Sequence, residues 1–251
     1  MPLQEELRTQ GDFLFRYRSY LPLALVSAGL WTEAYQERSL PFLRETLTAE
    51  IVEGLCLPIG LAGLAVRAFT VGYTPGRTSG RNTEEGQVAH VLNTTGAYSL
   101  VRNPLYLGNF LTWAAVAAAT GSLWFTVVVS LVFWLYYERI VFAEEAFLRR
   151  RFGSTYLNWA ARTPAFLPTH LRYVKPTVPF SWKKVLRNEK NGLFALALLL
   201  CLFRLVGDVA EGEVVWSDQV PWIAGAAATG AIYVALKGIN RWTSVLNEAG
   251  R

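Results

Sequence analysis

The strongest constraint on this fold is a series of long apolar segments. A helix needs about 20 residues to cross a hydrocarbon core of about 30 Å, and six apolar stretches come close to or exceed that length. They lie at residues 17–36, 49–72, 104–120, 122–142, 192–207 and 219–237. Because a chain that spans lipid must satisfy its backbone internally, these stretches predict an all-α, polytopic membrane protein with about six transmembrane helices.

Two features of the chain refine this topology. The third and fourth stretches nearly touch at Gly121 and Ser122, which predicts a tight helical hairpin of spans 3 and 4. The first 18 residues carry Glu5, Glu6 and Asp12 and lack the apolar core of a signal peptide. We therefore expect the first span to remain in the mature protein.

Lysine and arginine concentrate in alternate loops, which indicates the orientation. The basic loops contain Arg8, Arg16 and Arg18, then Arg77, Arg81 and Arg102, then many bases between residues 149 and 190, and finally Lys237, Arg241 and Arg251. The intervening loops are rich in glutamate. This pattern predicts cytoplasmic termini and, for a bacterial inner (plasma) membrane, an active site that faces the cytoplasm.

The composition argues against two other classes of protein. The formal net charge is +5, but basic runs separated by apolar spans do not build a nucleic-acid groove. Cys56 and Cys201 lie inside predicted spans, and His90 and His170 are the two histidines of the sequence. No metal centre is therefore expected. The lipid bilayer is the expected partner, and the sequence does not indicate the oligomeric state.

The first candidate motif runs from His90 to Gly108 and reads H-V-L-N-T-T-G-A-Y-S-L-V-R-N-P-L-Y-L-G. One interpretation is purely structural: Asn103 is a good N-cap and Pro104 suits the first turn of a helix. Tyr98, Arg102 and Tyr106 would then be interfacial anchors. The motif alone does not decide between this interpretation and a chemical one.

The second candidate motif continues the fourth span as E-E-A-F-L-R-R-R-F-G-S-T-Y-L-N-W, from Glu144 to Trp159. An amphipathic interfacial helix interrupted at Gly153 is one interpretation, with Glu145 and Arg149 spaced for a surface ion pair. It does not explain two adjacent carboxylates at a membrane boundary, where uncompensated charge is costly. A cationic partner is therefore expected.

Together these motifs resemble the isoprenylcysteine carboxyl methyltransferase and phospholipid methyltransferase superfamily. The family pattern G-x-Y-x-x-V-R-H-P-x-Y-x-G is matched between Gly96 and Gly108, with Asn103 where the family usually has histidine. The pattern E-E-x-x-L-x-x-x-F-G-x-x-Y is matched from Glu144 to Tyr156, and R-x-P-x-x-L-P from Arg162 to Pro168. The resemblance covers about residues 88–168.

The resemblance implies a cytoplasmic pocket for S-adenosylmethionine and an acceptor that enters from the bilayer. The implied catalytic residues are Arg162, Arg102 and Glu145. The implied acceptor-binding residues are Arg162, Tyr156 and Trp159. The implied cofactor-binding residues are His90, Val91, Leu92, Gly96, Tyr98, Arg102, Asn103, Pro104, Tyr106, Glu144 and Glu145. Carboxylates suit the positive groups of the donor, and an arginine fork suits its carboxylate.

Asn103 bears on the acceptor, because asparagine hydrogen-bonds but cannot take a proton. A general base is scarce, so we expect an acceptor that is already anionic, a phosphate or carboxylate headgroup of a lipid or lipid-like molecule. A prenylcysteine carboxyl group or a phospholipid amine is the alternative acceptor. Arg162 could also simply anchor a phosphate headgroup, and a non-catalytic lipid-binding protein on the same scaffold is the alternative of a different class.

The expected organisation has three parts. Residues 1–87 hold spans 1 and 2, residues 88–168 the methyltransferase core, and residues 169–251 an interfacial helix with spans 5 and 6. Ser181 is expected to cap that short interfacial helix, whose bases favour anionic lipid. In the fifth span, Arg204 is expected to pair with Asp208 one turn later.

Overall fold

The computed structural model describes residues 2–18, 20–39, 47–76, 78, 89–169, 172–212, 214–248 and 250. Within these ranges the regular secondary structure is helical. The α-helices are α1 (Leu3–Arg16), α2 (Leu21–Ser39), α3 (Leu47–Gly72), α4 (Pro104–Ala118), α5 (Leu123–Phe152), α6 (Ser154–Ala160), α7 (Trp182–Glu211) and α8 (Trp216–Trp242), and a short 3-10 helix covers Gly96–Ser99. Arg77, Arg81 and His170 lie outside the described residues.

A helix occupies each of the six predicted spans. Four are long and apolar enough to cross a membrane: Gly54–Gly72, Leu123–Phe152, Trp182–Ala210 and Trp216–Trp242. The apolar part of α2, Leu21–Ala34, is shorter. Helix α4 has 15 residues, about 22 Å at 1.5 Å per residue, and is also shorter than the hydrocarbon core. The polytopic all-α prediction is thus confirmed, with α2 and α4 as the short members.

Local signals explain where the hairpin and the second motif break. Gly121 has φ of 65° in the turn between α4 and α5, a conformation that favours glycine. Ser122 then caps α5, its hydroxyl accepting from the Phe125 amide at 3.3 Å. Gly153, with φ of 54°, ends α5 and lets α6 leave at a new angle. The predicted hairpin and the predicted interruption at Gly153 are both confirmed.

Helix α7 corrects the prediction of a separate interfacial helix near Ser181. Ser181 does cap a helix, accepting from the Lys184 amide at 3.1 Å, but that helix continues unbroken to Glu211. Lys184 is buried, and its ammonium donates to the backbone carbonyls of Thr74 and Pro75. Lys184 therefore binds the end of α3 and does not present its charge to a lipid surface.

Helix α3 lies at the centre of the bundle and packs against α4 and α7, while α1 packs against α5 and α2 against α7. The main apolar cluster joins α3, α4 and α7 through Cys56, Leu64, Val116, Leu196, Leu200 and Phe203. Helix α8 packs against α7 and otherwise presents an exposed surface. Helix α4 begins within the first motif, and α5, which packs against α4, carries Glu144 and Glu145 of the second motif.

The predicted pair of Arg204 and Asp208 is wrong. Asp208 accepts a hydrogen bond from the side-chain amide of Gln219 on α8, and the Arg204 guanidinium lies 5.9 Å from the centre of the Trp222 ring. Both partners come from α8. Arg204 and Asp208 of α7 therefore contact the neighbouring helix and do not pair with each other.

Candidate active site

Backbone hydrogen bonds bring the three motifs together. The backbone amides of Arg102 and Asn103 donate to the carbonyls of Pro164 (2.8 Å) and Ala165 (3.1 Å). The first motif is thus held against the third motif, the R-x-P-x-x-L-P segment at Arg162–Pro168. The Trp159 indole donates to the Tyr98 carbonyl at 3.2 Å. These bonds connect residues about sixty positions apart in the chain and bring α6 over the start of α4.

Asn103 stands at the N-cap of α4, with Pro104 in the first turn as predicted. Its side chain does not cap the helix, however. The side-chain amide nitrogen donates to the Ala165 carbonyl at 3.1 Å. Asn103 therefore binds this carbonyl through both its backbone amide and its side chain. This residue, where the family usually has histidine, therefore has a structural partner in the third motif.

Arg102 and Glu145 form the central ion pair of the site, with 2.9 Å between the Arg102 NH1 and a Glu145 carboxylate oxygen. Both side chains are mostly buried, at 22% and 23% exposure. The partner of Glu145 is thus Arg102 from the first motif, and the predicted surface pair with Arg149 is wrong. The buried Nε of Arg102 has no hydrogen-bond partner among the described residues, which leaves a donor for a ligand.

The second carboxylate, Glu144, lies beside two tyrosines of the first motif. The Tyr106 hydroxyl donates to Glu144 at 2.9 Å, and Tyr98 lies close enough for the Glu144 charge to act on its hydroxyl. Glu144 and Glu145 thus contact different residues of one motif. The two motifs predicted to meet do meet, through Tyr106 and Arg102.

Tyr156 on α6 closes the other side of the ion pair. The residue is 1% exposed, its ring lies edge-on to Trp159 with 5.7 Å between centres, and its hydroxyl is near both Glu145 and Arg102. Burial, with the Glu145 charge, raises the pKa of Tyr156 well above its usual range. Burial, with the Glu144 charge, does the same to the pKa of Tyr98. Both hydroxyls therefore stay protonated near neutral pH, and the buried Tyr156 hydroxyl has no hydrogen-bond partner among the described residues.

Two groups of predicted residues lie apart from this cluster. Arg162 is exposed, and its Nε donates to the Asn158 carbonyl of its own chain segment at 3.1 Å. His90 and Val91 are exposed and Leu92 is half-buried. Among the described hydrogen bonds and ion pairs, none joins these four residues to the pair of Arg102 and Glu145.

Arg18 is a site neighbour that the motifs did not reveal. Its guanidinium lies 4.2 Å from the centre of the Phe15 ring, and its charge acts on Glu144, Tyr106 and Tyr136. Helix α1 is held there by the Tyr136 hydroxyl, which donates to the Leu14 carbonyl at 2.8 Å. In the sequence Arg18 indicated only topology, because nothing local links it to residues 120 positions away.

Comparison with known proteins agrees with this arrangement. The phospholipid methyltransferase family model matches residues 61–155, a segment that contains α4, α5, Arg102 and both glutamates. No solved structure gives a significant match to the chain.

The curated relatives include metal-resistance proteins and methyltransferases. The cobalt-zinc-cadmium resistance protein CzcN of Cupriavidus metallidurans is 32% identical over 163 residues, 64% of this chain and 68% of CzcN. The nickel-cobalt-cadmium resistance protein NccN of Alcaligenes xylosoxydans xylosoxydans is 32% identical over 47% of this chain and 52% of NccN. The protein-S-isoprenylcysteine O-methyltransferase of Schizosaccharomyces pombe is 33% identical over 32% of this chain and 34% of that enzyme.

The segment matched by the family model carries Arg102, Glu144 and Glu145, and ends before the R-x-P segment at Arg162–Pro168. The family model and the methyltransferase relatives therefore agree with the family resemblance of the motifs. This chain belongs to the isoprenylcysteine carboxyl methyltransferase and phospholipid methyltransferase superfamily of integral membrane methyltransferases.

Proposed function

We propose that this protein transfers a methyl group from S-adenosylmethionine to an anionic headgroup, a phosphate or a carboxylate, of a lipid or lipid-like acceptor taken from the bilayer. The observation that carries the proposal is the mostly buried pair of Arg102 and Glu145, with Glu144 beside it, at the junction of the motifs. Two adjacent carboxylates in such a setting are costly unless cations face them.

The residues fit the donor. S-adenosylmethionine has a carboxylate, an ammonium and a sulfonium. Arg102 keeps a buried Nε donor without a partner among the described residues, which suits the carboxylate of S-adenosylmethionine. Glu144 and Glu145 suit its positive groups. When bound, the donor supplies a methyl group that an acceptor oxygen takes directly from sulfur, with no proton transferred if that oxygen is already anionic.

The protein side of the reaction consists of orientation and exclusion of water. Tyr106 orients Glu144 through a hydrogen bond, and the Tyr156 hydroxyl lies near Glu145. His90, the histidine of the motifs, is exposed and makes no described contact with the ion pair, so we favour an anionic acceptor over one that arrives protonated. Positioning and desolvation then supply most of the rate enhancement.

The acceptor side of the proposal rests on Arg162 and on the apolar surface beside it. Phe166 packs against Trp134 of α5 with 5.0 Å between ring centres, and Trp134 is half exposed towards the side of the bundle. We place the acyl or prenyl chain of the acceptor along this surface and its headgroup at Arg162, which precedes Phe166 by four residues. An arginine can hold a phosphate or carboxylate there in a fork.

Arg162→Ala separates the acceptor role from the donor role. We expect methyl transfer to fall by roughly 100-fold, because an anion left without its arginine loses a charge-assisted contact, while donor affinity stays unchanged. Calorimetry and a transfer assay on the same detergent preparation measure the two quantities. Arg172→Ala, at another exposed arginine, is the matched control. Loss of donor affinity in Arg162→Ala would reassign this residue to the donor site.

The acceptor class is tested by incubating the purified protein with radiolabelled donor and membrane extract, then separating lipid classes. Label in a phosphate ester or a carboxyl ester supports the proposal, and alkali lability distinguishes the two esters. Label on an amine headgroup contradicts the anionic acceptor. Donor binding with no transfer to any extract fraction supports the alternative of a non-catalytic lipid-binding protein.

We also propose that the site faces the cytoplasm of a bacterium, from the inner membrane. The support is the concentration of basic residues at the end of the bundle where the motifs meet. Alkaline phosphatase fused after Trp242 is expected to be inactive in cells, and an active fusion would invert the topology.

A further inference from the structure

Three helices share a mostly buried polar network that the proposed reaction does not use. The Arg67 guanidinium on α3 binds Glu189 on α7 through two parallel bonds, Nε to Oε2 at 2.7 Å and NH2 to Oε1 at 2.9 Å. The remaining nitrogen, NH1, donates to the Asn109 side chain on α4. Glu189 is 7% exposed. The guanidinium thus uses all three nitrogens inside the bundle.

Such a network is not explained by stability alone. A buried ion pair gains little net stability, because desolvation offsets the attraction, and apolar side chains of similar size often replace it without loss. A bidentate arginine pair does, however, fix the distance and angle between the helices that carry it. The observation therefore points to a geometric role.

The network is contiguous with the methyl-donor site. Asn109 follows Gly108, the last residue of the first motif, and the aliphatic part of Arg67 passes directly over that glycine: a Cβ on Gly108 would lie 2.6 Å from the Arg67 Cγ. Tyr137 on α5 lies close to Asn109 and Arg67. Its ring is 4.7 Å from that of Tyr106, which donates to Glu144.

We infer that Arg67, Glu189 and Asn109 are positioning residues that hold α7 against α3 and α4 and thereby fix Tyr137 and Tyr106 for the contact with Glu144. Helix α7 lies outside residues 88–168, the predicted methyltransferase core, and outside the family match. The C-terminal part of the chain thus sets the geometry of the donor site without touching the donor. The inference rests on the proposed function for the identity of that donor.

The test uses the full chain in detergent and three variants. Glu189→Gln keeps the shape and removes the charge. Arg67→Met combined with Glu189→Met replaces the pair with apolar side chains. Asp208→Asn is the matched control, since it makes the same kind of change on the same helix, 19 residues away or about 28 Å along the axis, next to Gln219.

Two readouts do not depend on catalysis. Fluorotyrosine labelling followed by fluorine NMR, with Tyr106→Phe and Tyr137→Phe for assignment, reports the surroundings of both rings in the protein without ligand. Thermal unfolding reports stability. We expect Glu189→Gln and the double variant to move both resonances, and the double variant to unfold near the wild-type temperature. Asp208→Asn should leave both resonances in place.

The donor readout completes the test. We expect Glu189→Gln and the double variant to weaken S-adenosylmethionine binding roughly tenfold, even where stability is restored. A double variant with wild-type resonances and wild-type affinity would show a packing role only and overturn the inference. If the wild type itself binds no donor, the proposed function fails, and the fluorine resonances still decide whether α7 positions Tyr106.

Discussion

Replacing Arg102 by methionine is expected to abolish methyl transfer and to weaken donor binding by roughly 100-fold or more, since each charge-assisted hydrogen bond contributes about 1.5–3 kcal/mol. The change removes the partner of Glu145 at 2.9 Å and the buried Nε that is proposed to meet the donor's carboxylate. It also leaves Glu145 as an uncompensated, mostly buried charge. Calorimetry with S-adenosylmethionine measures the loss of affinity.

Two further variants separate the effect of the Arg102 charge from that of its geometry and from a general loss of positive charge. Arg102→Lys keeps the charge but not the planar fork, so its affinity should fall between those of the wild type and Arg102→Met. Arg151→Met removes an exposed arginine at the end of α5 and should leave binding unchanged. If Arg102→Met binds the donor as tightly as the wild type, Arg102 has only a structural role and the donor lies elsewhere.

Replacing Gly108 by alanine is expected to destabilise the bundle more than any other single methyl addition in the first motif. A Cβ on Gly108 would lie 2.7 Å from the Gly63 carbonyl oxygen as well as 2.6 Å from Arg67 Cγ. The first contact is with backbone, so a side-chain rotation cannot relieve it. Overpacking costs about 1–3 kcal/mol, or roughly 2 to 12 °C in Tm for a chain of this size.

Gly225→Ala is the matched control for that prediction. Gly225 is an exposed position in α8, and a Cβ there meets nothing within 4 Å. The greater helix propensity of alanine should leave stability unchanged or slightly raised. Thermal unfolding of both variants in one detergent should therefore show a lower Tm for Gly108→Ala and no loss of Tm for Gly225→Ala. Equal stability of the two would mean that α3 and α4 do not cross closely at Gly63 and Gly108.

Much of the fold follows from hydropathy, because lipid allows a long apolar segment few alternatives to a helix. What hydropathy misses are the polar helices. Helix α1 has too many charges to suggest a span, yet it binds α5 through contacts such as that of Arg139 with Gln10, 2.9 Å apart. The start of α7, rich in lysine and arginine, reads as a separate surface helix, although Lys184 and Glu189 are buried there.

The sequence likewise predicts some residues of the candidate site and misses others. The sequence motifs identify five residues of the candidate site, and the structure brings them together: Arg102, Tyr106, Glu144, Glu145 and Tyr156. Spacing within the second motif favoured Arg149 as the ion-pair partner of Glu145, because sequence spacing indicates only pairs within one helix. The contacts of Arg18 and Glu189 with distant helices depend on packing. Arg67 did give a signal, an arginine within an apolar span, which generally indicates a functional or paired residue.

The central claim is that the junction of Arg102, Glu144 and Glu145 binds the methyl donor. Isothermal titration of the purified, detergent-solubilised protein with S-adenosylmethionine tests it most directly. We predict saturable binding to the wild type with a Kd in the micromolar range, roughly −8 kcal/mol, and a Kd about tenfold or more higher for Glu145→Gln. Wild-type protein that is folded by thermal unfolding and yet binds no S-adenosylmethionine would contradict the account.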